Sequence, residues 1–334
     1  DLYLRNASTG QSIIWTFNGG KSGSFDLGYT NAGYAFGAIG DVNADGDKDV
    51  VLRNAATGEL RVLNIQGATL LNSASLGYNN TGFSFKALAD VEADGDKDVI
   101  LRNDTTGQII VVLMQNGAKV GQNDLGYNNV ALSFTGVGDV EGDGDDDLIL
   151  RNDTTGQLIV VKVQAGLKNS VADYGYNNAA FTFKSVVDAD GDGDADILLR
   201  NDTTGQQIVV LSQSGAKSGQ TDLGYNSTAM AFKAVGDTDG DGDSDILLRN
   251  ASGQTIVVKL QGGNNVGVVD LGYNPASMTL VGTGDKDGDG DDDIIFRDAA
   301  TGQTMSYEMQ NSAKVGPSQH GYSAAGYTPF VEKK

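Results

Sequence analysis

The 334-residue chain contains no cysteine, a single histidine and a single tryptophan. Without cysteine there is no disulfide, no thiolate nucleophile and no thiolate metal site. With one histidine, His320, an imidazole metal cluster is excluded, and any Ser-His-Asp site would have to use that residue. No run of about 18 apolar residues occurs, so no membrane insertion is expected. Positive charge is scarce: 23 Lys and Arg stand against 44 Asp and Glu, a formal charge of −21. Such a chain has no basic face to neutralise phosphates, and nucleic acid is not an expected partner. Helical 3.6-residue periodicity is absent. So are an initiating Met and a signal peptide, and the chain opens in mid-repeat at Asp1-Leu2-Tyr3-Leu4-Arg5-Asn6, which reads as a trimmed or incompletely described chain.

What the sequence has in abundance is repetition. An arginine recurs at Arg5, Arg53, Arg102, Arg151, Arg200, Arg249 and Arg297, about 49 residues apart. A Gly-Tyr pair recurs at Tyr29, Tyr78, Tyr127, Tyr176, Tyr225, Tyr273 and Tyr322. Within one period four short strands are legible. Phe83 to Ala89 alternates, Val99-Ile100-Leu101 is apolar, Ile109 to Met114 is β-branched, and Lys119 to Leu125 is polar like an outer edge. Asp104-Thr105-Thr106-Gly107 is a turn. Four antiparallel strands per unit, seven times, predict an all-β fold. It is a seven-bladed β-propeller of four-stranded antiparallel blades, one propeller over residues 1–334. Aligning the two ends makes Tyr327 to Glu332 the first strand of the blade whose other three strands lie in residues 1 to 29, so one blade is shared between the termini.

Six of the seven repeats carry an acidic nine-residue loop, and these loops hold 31 of the 44 acids. Acidic or amide side chains stand at positions 1, 3, 5, 7 and 9. The candidate ligands are Asp41, Asn43, Asp45, Asp47 and Asp49; Asp90, Glu92, Asp94, Asp96 and Asp98; Asp139, Glu141, Asp143, Asp145 and Asp147; Asp188, Asp190, Asp192, Asp194 and Asp196; Asp237, Asp239, Asp241, Asp243 and Asp245; and Asp285, Asp287, Asp289, Asp291 and Asp293. Oxygen-only donors at this density suit a hard dication such as Ca²⁺, which takes six to eight oxygens, better than Mg²⁺, which keeps its waters. Glycine at position 6 permits the sharp turn that brings position 7 close, where a backbone carbonyl serves. An EF-hand is excluded because position 12, which would need Glu, is apolar each time: Leu52, Leu101, Leu150, Leu199, Leu248 and Phe296. The expectation is about six Ca²⁺ sites.

The pattern D-x-D-x-D-G-x-x-D between the first two strands of a blade resembles the FG-GAP and VCBS-type repeats. The resemblance covers nearly the whole chain and implies a propeller like that of integrin α-subunits and many secreted bacterial proteins, with calcium at these loop positions. Leu101-Arg102-Asn103 stands where that family has Gly-Ala-Pro, which resembles a bacterial surface or secreted branch and weakens any transfer of integrin-like partners.

The remaining recurrent residues read as architecture. The arginines anchor strand ends, Tyr78, Phe83 and Phe85 pack blade against blade, Trp15 is core, and Asn103, Asn152 and Asn201 are turn formers rather than glycosylation sites. His320, replacing a recurrent Leu, reads as surface variation. Near-identical repeats do not build an asymmetric catalytic constellation, so no enzyme is expected. The function expected is a calcium-binding module, extracellular or at the cell surface, where calcium is abundant. It would bind a glycan or a surface protein for adhesion. The alternatives are a structural subunit that self-assembles and, third, a polysaccharide-active enzyme.

Overall fold

The second and third strands of each repeat are short, continuous apolar runs, as in Asp98–Arg102 and Ile109–Gln115, and nearly every residue in them is buried. A strand apolar on both faces needs cover on both faces. The computed structural model provides it by stacking sheets around a ring. It describes residues 1–18, 20–175, 178–322 and 326–331. Tyr176 and Glu332 lie outside the described residues.

Among these residues there are seven four-stranded antiparallel sheets and no helix. Six are built from consecutive strands. The second, for example, runs Ser84–Ala89, Asp98–Arg102, Ile109–Gln115 and Ala118–Asp124. The inner strand carries a bulge at the same place in each of the six sheets, between Phe85 and Ala87 in this one. That bends it around the central channel. The seventh sheet joins Tyr327–Phe330 to Leu2–Asn6, Gln11–Asn18 and Gly20–Thr30, with Tyr3 opposite Phe330. One blade is therefore shared between the two ends of the chain. Phe330 stacks on Phe36 of the first full blade, ring centroids 3.6 Å apart and planes at 17°, which closes the ring.

The core lies between blades rather than within one. Val51, Val62 and Tyr78 of the first full blade pack on Phe83, Val99, Leu101 and Val112 of the second, and this pattern repeats around the ring. Trp15 is buried between Leu2 and Leu4. Each recurrent arginine ties its blade to the next. Arg102 donates to the Asn129 carbonyl at 2.9 Å and the Leu132 carbonyl at 2.5 Å, and Arg5 to the Asn31 and Tyr34 carbonyls at 2.8 Å. Such bonds satisfy a cation that is almost wholly buried. Asn103 accepts the Thr105 and Thr106 N–H groups, so it works as a turn former.

His320 departs from expectation. It is 4% exposed, in the slot held elsewhere by Leu27, Leu76 and Leu125, with Nε2 2.8 Å from the Ser306 hydroxyl. Burial first, and then Lys286, pushes its pKa down to about 4, so the ring is neutral at pH 7.

Candidate metal centre

Each acidic loop joins the inner strand of a blade to the second strand, and its side chains divide the work. In the loop Asp139 to Asp147, the first aspartate organises the backbone. Asp139 Oδ1 accepts N–H groups from Glu141, Gly142 and Asp143 at 3.2, 2.7 and 3.2 Å, and Oδ2 accepts that of Gly144 at 2.8 Å. Gly144 has φ +94° and its equivalents lie between +89° and +100°. That left-handed conformation is cheap only for glycine. Asp143 Oδ1 accepts the Asp145 N–H at 3.1 Å. The loop is thus wrapped around the carboxylate of its first aspartate.

The last two acids bind the loop to the rest of its own blade. Asp145 Oδ2 accepts the Ala165 N–H at 3.0 Å, in the hairpin between the third and fourth strands. The equivalents pair Asp47 with Gly67, Asp96 with Asn116, Asp194 with Ser214, Asp243 with Gly262 and Asp291 with Asn311. Asp147 is fully buried, with Oδ2 accepting the Val140 N–H and Oδ1 that of Val163. Asp49, Asp98, Asp196, Asp245 and Asp293 make the same pair of bonds. Burial is the main cause that pushes these ninth-position carboxyls up. The values are about 8 for Asp98 and Asp147, about 7 for Asp49 and Asp196, and about 6 for Asp245 and Asp293.

Three loops bring three carboxylates within 4.8 Å of one another: Asp188, Asp190 and Asp196; Asp237, Asp239 and Asp241; and Asp285, Asp287 and Asp289. The first three loops form no such group among the described residues. There position 3 is Asn43, Glu92 or Glu141, and Glu141 turns aside to pair with Lys162 at 2.7 Å. The donor set nevertheless fits a hard cation in kind. It is all oxygen, and Asp96, Asp145, Asp190 and Asp239 each keep a buried Oδ1 with no hydrogen-bond partner. An orphaned buried carboxylate oxygen is costly unless a cation or water meets it.

Sequence reading missed the lysines that enter these loops. Lys162 pairs with Glu141, Lys259 with Asp239, and Lys286 with both Glu308 and Asp293. Lys162 and Lys259 occupy one column of the third strand, filled by Leu113 and Leu211 in other blades. Comparing that column across repeats could have found them.

The loops also clasp neighbouring blades. The first-position carbonyls of Asp41, Asp90, Asp139, Asp188 and Asp237 accept N–H groups of the next loop, from Lys97, Asp146, Ala195, Ser244 and Asp292, at 2.5 to 2.8 Å. The second-position carbonyls of Val42, Val91, Val140, Ala189 and Thr238 accept from the next blade's hairpin, at Gly117, Gly166, Gly215, Gly263 and Ser312. Five junctions are stitched this way.

Outside the loops, one pocket breaks the repeat. A cavity of about 250 Å³ between the last two complete blades is lined by Tyr273, Asn274, Gln303, Lys314, Pro317 and Gln319. Tyr273 is 64% exposed. Gln303 pairs with Gln319, where Gln108, Gln157 and Gln206 pair with Asp124, Asp173 and Asp222. The acidic edge is neutral here.

No protein-family model matches the chain, and no curated relative does. Solved structures do. YCF48 from Cyanidioschyzon merolae is 11% identical with TM-score 0.53, over 86% of this chain and 85% of that one. The Dos1 propeller is 10% identical with TM-score 0.51, over 93% and 75%. The dihydro-heme d1 dehydrogenase NirN in complex with DHE is 12% identical with TM-score 0.45, and the chain spans 53% of its length. At these identities the likeness to YCF48 and to Dos1 shows the fold alone: this chain is a seven-bladed β-propeller.

Proposed function

We propose that the protein is a calcium-stabilised propeller that works outside the cell as a non-catalytic binding module for a glycan or a surface protein. The observation that carries the calcium reading is the set of orphaned, buried carboxylate oxygens inside wrapped, oxygen-only loops. The residues that would hold the ions are those at loop positions 1, 3 and 5 with the ninth-position aspartate, as in Asp188, Asp190, Asp192 and Asp196. Bound Ca²⁺ would supply positive charge that the lysines, such as Lys162 beside Glu141 and Lys259 beside Asp239, offset only in part, and so hold the loop closed. Extracellular calcium is high enough to fill sites of modest affinity, which supports a location outside the cell.

The pocket beside Tyr273 is the best-supported ligand site. An exposed aromatic ring flanked by Asn274, Gln303 and Gln319 offers a stacking face and neutral amides, the chemistry that recognises a sugar. A non-catalytic role is supported by the burial of His320 and Ser306, which leaves no solvent-facing nucleophile and base at the one Ser-His pair. A second reading, self-assembly, rests on the outer strands, where Leu71, Val120, Val266 and Val315 are exposed at one register on the sheet edges.

The test is a metal count after dialysis against CaCl₂, followed by a glycan array with calcium and with chelator. About six ions per chain and chelator-sensitive glycan binding are expected. Absence of bound calcium would overturn the metal reading. Binding unchanged in Tyr273→Ala would remove the pocket.

A further inference from the structure

The seventh-position aspartates do more than close their own hairpins. In five of the six loops these side chains are more than nine-tenths buried: Asp96, Asp145, Asp194, Asp243 and Asp291 are 4 to 8% exposed. Asp47, whose preceding blade has no acidic loop, is only half-buried. So the preceding loop does the burying. In all five, Oδ2 is committed to a hairpin N–H of the same blade. The other oxygen faces backwards. Asp194 Oδ1 lies 2.6 Å from where a Cβ on Gly142 would stand, and Asp243 and Asp291 stand likewise 2.5 and 2.7 Å from Gly191 and Gly240. Those glycines are position 4 of the preceding loop. Asp96 Oδ1 and Asp145 Oδ1 have no hydrogen-bond partner. Among the charges acting on them are Asp41 and Asp90, the first-position acids of the loops before them.

A buried carboxylate oxygen aimed at another set of carboxylates must either take a proton or face a cation. We propose that each of the first five ions is shared across a blade junction: the seventh-position carboxylate of the following blade supplies an oxygen to the ion held by the loop before it. Asp96 completes the loop of Asp41, Asp145 that of Asp90, Asp194 that of Asp139, Asp243 that of Asp188 and Asp291 that of Asp237. Among the described residues nothing occupies this place opposite the loop of Asp285. The proposal rests on the calcium reading above and gives the ion a second task, as a rivet between blades beside the backbone clasp.

Calorimetric titration of the full chain with CaCl₂ tests it. In Asp145→Asn the amide oxygen stays on the Ala165 N–H and its NH₂ turns toward the preceding loop. One site is expected to weaken at least tenfold. Asp94→Asn, in the preceding loop, and Asp143→Asn, in Asp145's own loop, each remove one site. The double variant Asp94→Asn/Asp145→Asn should then lose one site and Asp143→Asn/Asp145→Asn two. The reverse counts, or an Asp145→Asn no worse than Asp47→Asn, would overturn the sharing and leave the calcium reading intact. Wild-type protein that takes up no calcium would overturn both. Should Asp145→Asn fail to fold, Asp243→Asn with Asp192→Asn or Asp241→Asn repeats the test at another junction.

Discussion

Six buried ninth-position aspartates make the stability of the calcium-free protein depend on pH in an unusual direction. Their folded pKa values, about 6 to 8, lie above the ordinary carboxylate range because burial penalises the charged form. A raised folded pKa means that the folded state binds more protons than the unfolded one. That contribution is complete below about pH 4 and is lost as pH rises through 6 to 8. At pH 6 Asp49, Asp98, Asp147 and Asp196 are mostly protonated and Asp245 and Asp293 half so, an excess of about five protons. Each excess proton corresponds to ~1.4 kcal/mol per pH unit before solvent screening is discounted. A screened loss of several kcal/mol between pH 5 and pH 8 would lower the melting temperature by on the order of 10 °C. Calcium favours the ionised carboxylates, so with calcium the fall should flatten or reverse, and binding at pH 6 should release several protons. Scanning calorimetry at pH 5, 6, 7 and 8, in CaCl₂ and in chelator, reads the first. Calcium titration in buffers of different ionisation enthalpy reads the second. Parallel pH slopes with and without calcium, or a chelated protein more stable at pH 8 than at pH 5, would refute the reasoning.

Two substitution experiments probe the loops further. Replacing Lys162 by Met removes an ammonium that sits 2.7 Å from Glu141. Calcium affinity of that one loop should rise by about tenfold, ~1.4 kcal/mol, and an unchanged or weaker titration would deny that the lysine competes. Gly193→Ala and Gly107→Ala should separate strain from clash in denaturant melts with calcium present. Gly193, at φ +89° with open space around it, should cost about 1 to 2 kcal/mol. Gly107, where a Cβ would stand 2.6 Å from the Asn129 backbone nitrogen, should cost more, and equal costs would contradict that distinction.

The blades were legible because the repeat averages out local ambiguity. The strand read as Ile109 to Met114 is Ile109–Gln115, and that read as Lys119 to Leu125 is Ala118–Asp124. The offset of the termini also located the shared blade at Tyr327. Three of the six loops gather carboxylates as the sequence pattern suggested, but the division of labour inside the loops was not legible. Asp147 and Asp145 are held by backbone N–H groups 16 and 20 residues away, and a backbone donor leaves no mark in the sequence. His320 was misread for a different reason. Its slot is a buried leucine column, and weighting that column above the polarity of imidazole would have placed it inside.

If the loops bind calcium, their lysines make six unequal sites. A loop that carries its own ammonium, such as that of Asp139 with Lys162 or that of Asp237 with Lys259, already has part of its charge offset. The loop of Asp188 faces Leu211 at the same place and has no lysine of its own, whereas the loop of Asp90 faces Leu113 but carries Lys97, which pairs with Asp146 of the next loop at 2.9 Å. In this column lysine and leucine alternate from the second loop to the fifth, so the loop of Asp188, which has no lysine, lies between the compensated loops of Asp139 and Asp237. Because neighbouring loops are stitched by two backbone hydrogen bonds at each junction, their charges act on one another as well as on themselves. Alternation keeps two uncompensated loops from sharing a junction there, and so limits the repulsion that a calcium-free ring must bear. On the calcium reading, filling is expected to be stepwise. The leucine-column loops should take calcium first, and the lysine-column loops should fill only at higher calcium, where the ammonium is displaced.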